Sequence, residues 1–99
     1  MAEIRIDYTN ARAQVRKLRE AAEQCADVIR DLQTTERDLS GCWVGESADA
    51  YALGLQKRIS EIRKIQEDAL ELAALIQRAA DEFEEAERRT KEAMEMQFA

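Results

Sequence analysis

The chain has 99 residues and a formal net charge of −6 at pH 7, and 36% of it is Asp, Glu, Lys or Arg. It holds no Pro, no His and three Gly, against two Phe, two Tyr and one Trp. Such a length allows one small domain. A chain rich in Ala, Leu, Glu, Arg and Gln and free of Pro has the composition of long helices. A core made mostly of Ala, Leu and Ile suits helices packed along their length, not a globule around a centre. The basic clusters, Arg16, Lys17 and Arg19 and then Arg88, Arg89 and Lys91, each have acids within about a turn, so nucleic acid is not an expected partner. Met1 to Tyr8 is too polar for a signal peptide, and no stretch reaches the roughly 18 apolar residues of a membrane span. The expectation is synthesis in the cytoplasm and, if the chain leaves the cell, a route needing no cleavable signal.

The first element is a helix over about 8–39. Apolar residues recur in alternating steps of four and three at Ile4, Tyr8, Ala11, Val15, Leu18, Ala22, Cys25, Ile29, Leu32 and Leu39, with Glu36 in the one slot that is not apolar. That heptad spacing holds one stripe against a partner helix with a left-handed supercoil. Asp7 or Thr9 is placed to cap its start, and Gly41 to close its end in the left-handed conformation. Residues 40–46, which include Trp43 and two of the glycines, break the rhythm and form a turn. Ser47 then offers an N-cap, and Asp49 suits a positive helix start.

The second helix, over about 47–89, resumes the alternation at Ala48, Ala52, Leu55, Ile59 and Ile62 and carries it through Gln66, Ala69, Ala73, Ile76, Ala80 and Phe83. Two long helices joined by a short turn fold back antiparallel, so the fold class is an all-α helical hairpin. Cys25 in mid-helix reads as a small core residue and Cys42 as a free thiol in the turn. About 17 residues of helix would hold them roughly 25 Å apart, well beyond disulfide reach.

The hairpin carries more apolar surface than one partner helix covers. Ile65, Leu70, Leu72 and Leu75 flank the stripe of the second helix, and Ala21, Ala26 and Val28 that of the first. Such a helix is normally buried on more than one side. A lone two-helix core barely offsets its ordering entropy. The expected remedy is a second hairpin completing a four-helix bundle, with Val28, Ile65, Leu72 and Leu75 in the interface.

By itself, Trp43 reads as a plug for the open end of the bundle. Gly45 would permit close backbone approach or positive φ just before the second helix. Phe83 falls on the stripe and Glu87 on its next position, where a carboxylate is tolerable only if the bundle has ended; an aromatic and an acid on one face suit an exposed recognition patch. Asp81, Glu82, Glu84 and Glu85 crowd the same turns, either as a solvated surface or as an acidic face for cations of a partner. From about 90 to 99 the chain reads as a flexible tail tipped by Met94, Met96 and Phe98, adaptable contact residues or a frayed end.

Trp43-Val44-Gly45, set in the turn between two Pro-free helices of a chain about a hundred residues long, resembles the WXG family. These are the small Trp-x-Gly proteins handled by type VII (ESX-like) secretion systems of Gram-positive bacteria and mycobacteria. Phe83-Glu84-Glu85-Ala86-Glu87 is similar to the family's Tyr-x-x-x-Asp or Tyr-x-x-x-Glu export motif, with Phe in place of Tyr and so without its hydroxyl. The resemblance covers essentially the whole chain. It implies that the Trp turn of one subunit sits beside the tail motif of its antiparallel partner as a composite export signal. It further implies that a secretion ATPase reads the tail at Met94, Met96 and Phe98. The implied partner is a second copy, a sibling hairpin, or the helical N-terminal domain of a larger toxin.

An enzyme needs a nucleophile with its base, a metal cluster or a phosphate loop. The chain has no His, no Gly-rich loop before a helix and no Ser in a motif context, so no catalysis, cofactor, metal or small-molecule substrate is expected. Two readings follow. In one, the chain is a substrate or co-substrate of type VII secretion, exported as a folded dimer. In the other, it is a non-secreted structural or chaperone-like hairpin whose Trp turn only packs.

Overall fold

The computed structural model describes residues 5–98. Two helices, α1 (Tyr8–Ser40) and α2 (Glu46–Phe98), account for nearly all of them and pack along their length as an antiparallel hairpin. The molecule measures 80 × 23 × 15 Å, with a radius of gyration of 22.9 Å where a compact chain of this size would have about 13 Å. At 1.5 Å per residue, the 53 residues of α2 span roughly 80 Å, so this one nearly straight helix sets the length of the rod.

The heptad stripe is the seam. Val15, Ala22 and Ile29 of α1 and Ile59, Ala73 and Ala80 of α2 are the buried apolar residues. The other stripe positions from Tyr8 to Leu39 and from Ala48 to Ile76 are half-buried, Glu36 and Gln66 among them. Half of the buried residues are Ala, which lets the two backbones come close but leaves a core one side chain thick. Ile4, the expected first residue of the stripe, and Ala99 at the end of the tail lie outside the described residues.

Asp7 caps α1: its Oδ1 accepts from the Asn10 amide at 3.0 Å. The turn departs from the sequence expectation in two places. Gly41 is right-handed (φ −80°, ψ −16°), because its own amide and those of Cys42 and Trp43 all turn back onto the Arg37 and Leu39 carbonyls and continue the helical sense. Gly45 takes the positive φ (+133°) that its place just before the second helix allowed, and its carbonyl accepts from the Asp49 amide at 3.0 Å. Gly45 therefore occupies the cap position of α2, and Ser47 lies within the first turn instead of capping it.

A third difference is the length of α2, which runs through the segment expected to be a flexible tail and ends at Phe98 instead of near 89. Side-chain bridges sustain it. Arg88 pairs with Glu85 and Glu92, Arg89 pairs with Glu85, and the Thr90 hydroxyl donates to the Ala86 carbonyl. Arg88 ahead of all others, then Arg89, holds the Glu85 carboxyl below its usual range.

Two polar contacts give the register. Near the turn, Gln56 donates to Glu36 at 3.2 Å; at the other end, Arg12 donates to Asp81 at 2.8 Å and also pairs with Glu84. Arg12, and after it Gln77, lowers the pKa of Asp81 below 3.8. A carboxyl whose folded pKa is depressed stabilises the fold above its unfolded value, and the contribution is lost as pH falls through the folded value. The Tm advantage of the wild type over Arg12→Gln should therefore be present at neutral pH and shrink below about pH 3.8 in a thermal-melt series; a gap independent of pH would deny the ion pair any part in it. The glycines give a second pair of expectations. Gly45→Ala has free space for the new methyl but forces Ala to φ +133°, and should cost about 1–3 kcal/mol in urea unfolding. Gly54→Ala, inside α2 and equally unobstructed, should instead stabilise by about 0.5–1 kcal/mol.

Candidate functional site

Three places on the rod present side chains that the hairpin itself does not use. The first is the tip. Trp43 leaves α1 with its amide held by the Leu39 carbonyl at 2.8 Å, so the indole is aimed by the last turn of that helix. Its ring meets Tyr51 of α2 at a centroid distance of 5.5 Å and a tilt of 56°, a favourable aromatic pair. Trp43 remains 39% exposed, so it covers the end of the seam without being shut inside it. Val44 beside it is 90% exposed. With Leu39, Ala52 and Leu55, the two rings line a groove open to solvent between the helices. Tyr51 was not foreseen as part of this site; an aromatic one position off the stripe, in the second turn of the helix after Trp43, was the available signal.

The second place is the far end of α2. Phe83 is 48% exposed and Glu87 is exposed too, one turn apart. Together with Ala86, Thr90, Lys91 and Met94 they line one continuous shallow face. Helical spacing puts Phe83, Glu87, Met94 and Phe98 in one row, continuing the stripe past the point where α1 ends. Met96 points to a different side, so the three tail residues do not form a single surface. At this end α1 contributes Tyr8 and Arg12, neither of which sequence reasoning assigned to the site. The Tyr8 hydroxyl oxygen is closed off from solvent with no hydrogen bond of ordinary geometry. Burial, and next the Glu87 carboxylate, push its pKa above 10.0.

The third place is the middle of the rod. An antiparallel pair has two-fold symmetry about an axis through its face, so the residue just before each stripe position falls on the same face of both helices. That rule gathers Ala21 and Val28 of α1 with Ile65, Leu72, Leu75 and Ala79 of α2. The observed register sets Val28 level with Ile65 and Ala21 with Leu72. Val28, Ile65, Leu72 and Leu75 are between 45% and 59% exposed, with nothing over them. Leu70 projects from the opposite face. The described chain exposes 8106 Å², against about 5,700 Å² for a compact monomer of its mass.

The tip and the tail motif do not meet within the chain. From Glu46 to Phe83 the single helix α2 separates them by roughly 56 Å. Among the described residues no helix is long and apolar enough to cross a membrane, and no group of His, Cys, Asp or Glu is arranged to hold a metal. Cys25 and Cys42 are both free thiols, the first half-buried and the second exposed.

No curated protein and no solved structure matches the chain significantly. The family model WXG100, described as proteins of 100 residues with WXG, matches it over residues 3–88, a span that takes in α1, the Trp43-Val44-Gly45 turn and α2 through Glu87. Given that match and the two-helix hairpin with Trp-x-Gly at its bend, the chain belongs to the WXG100 family of small secreted helical proteins that work with type VII systems.

Proposed function

We propose that the chain is a substrate or co-substrate of a type VII secretion system, exported as a folded helical dimer. Its signal is composite: the tip of one subunit, Trp43 and Gly45, beside the Phe83–Glu87 face of the other. One observation carries this reading. The two halves lie at opposite ends of a rod, roughly 56 Å apart in the same chain, and only a second hairpin docked antiparallel brings them together. The apolar face of Val28, Ile65, Leu72 and Leu75 lies midway between those ends, where a two-fold partner would centre. The surface exposed beyond that of a compact monomer, about 2,400 Å², exceeds the roughly 800 Å² that each partner gives to a standard interface. The partner is a second copy, a sibling hairpin or the helical N-terminal domain of a larger toxin. The row that continues through Met94 and Phe98, with Met96 on its flank, is the surface offered to the secretion ATPase.

The dimer face is tested by Leu72→Glu. A carboxylate in the centre of that face should convert the associated species to monomer in sedimentation at micromolar concentration, with a loss of helical ellipticity; unchanged association would place the interface elsewhere. The signal is tested by export. The chain should appear in the medium of normal cells and stay in the pellet of cells lacking the type VII ATPase. Phe83→Ala and Glu87→Ala should remain folded by circular dichroism yet fail to reach the medium. Normal export of both variants would remove the signal from this face, and secretion from neither strain would favour the non-secreted hairpin.

A further inference from the structure

The acid of the tail motif does not stand alone on its helix. Arg12 of α1 reaches Asp81 at 2.8 Å and pairs with Glu84, which fixes the register of the two helices at this end. In an antiparallel pair, one turn back along α1 is one turn forward along α2. Tyr8, one turn before Arg12, therefore lies against the turn that ends in Glu87. Its hydroxyl oxygen is sealed from water and has no hydrogen bond of ordinary geometry, a condition that buried hydroxyls rarely tolerate. On α2 itself, Arg88 and Arg89 both turn to Glu85, and Phe83, the aromatic of the motif, has no hydroxyl with which to orient an acid. The first turn of α1 supplies one.

Resting on the reading of Phe83 and Glu87 as the export motif, we propose that Tyr8 is a positioning residue of that motif. Its hydroxyl, carried in from α1, donates to the Glu87 carboxylate and fixes the direction in which Glu87 and Phe83 are presented together to the partner. The motif is then complete only when the hairpin has closed, and export is tied to folding: an α2 segment without α1 displays the same residues with the acid free to swing. The rise in the Tyr8 pKa, caused first by burial and next by Glu87, agrees with a phenol that donates to a carboxylate.

Two measurements test this. In the first, Tyr8→Phe removes the hydroxyl and keeps the ring on the seam. The variant should retain its helicity and Tm while its level in the medium falls roughly tenfold, the scale of one lost hydrogen bond to a charged group. Wild-type export of Tyr8→Phe alongside blocked export of Glu87→Ala overturns the positioning role alone, whereas normal export of both removes the motif reading on which it rests. The second measurement does not depend on export. In a Tyr51→Phe background Tyr8 is the remaining tyrosine, and its ionisation is followed by ultraviolet absorbance. Its pKa should lie above 10.0 and fall when Glu87→Gln removes the charge; a titration that Glu87→Gln leaves in place overturns the hydrogen bond.

Discussion

The whole molecule hangs on one narrow seam. Apolar residues placed every three and four positions can touch a partner along only one line of a helix, and here that line is Ala-rich. Because Ala22, Ala73 and Ala80 fill little space, the backbones approach closely and the larger Val15, Ile29 and Ile59 find their places between them. The register of the two helices is marked by the polar contacts at its two ends. Register in turn decides which polar groups face each other at the two ends. Gln56 meets Glu36 near the tip, and Tyr8 and Arg12 meet the acids of α2 at the base.

A seam one side chain thick also explains why the hairpin is all surface. The rod has an extent of 80 Å and a breadth of 23 Å, so every residue off the stripe faces water or a partner. On most of the surface that is harmless, because charged residues in short-range pairs such as Lys64 with Asp68 solvate it. In the middle it is not, because Ile65, Leu72, Leu75 and Val28 cluster on one face. Soluble monomers seldom leave contiguous apolar patches uncovered, and the helical hairpins of this family generally pair. The proposed antiparallel docking would answer both features at once, covering the apolar face and bringing the tip beside the far end of α2.

The two ends are built differently. At the tip the backbone governs: Gly45 with φ +133° starts α2, and the carbonyls at the end of α1 aim Trp43 at Tyr51. At the base side-chain charge governs. Arg12 neutralises part of the acidic cluster that would otherwise repel itself across adjacent turns, and Arg88 and Arg89 carry the helix beyond the support of α1. Both ends leave an aromatic half-exposed beside polar groups, a combination suited to recognition and of little use to a core.

What the sequence by itself determined is the part that repeats. The spacing from Tyr8 to Leu39 and from Ala48 to Ala80 specified two helices, the buried stripe and the hairpin, because helical periodicity is a property of the chain read locally. The surplus of Ile65, Leu72, Leu75 and Val28 was legible for the same reason, as was the Trp-x-Gly bend. The tertiary structure decided whatever depends on which residue stands opposite which. No local pattern says that Gly45 and not Gly41 takes the positive φ, since that follows from how far the last turn of α1 continues. None says that α2 persists to Phe98, because its bridges are set by rotamers and not by spacing alone. Tyr8 looked like one more stripe residue. Only the antiparallel register, fixed through the seam and the reach of Arg12, sets it level with the turn of α2 that ends in Glu87, some 80 residues away along the chain.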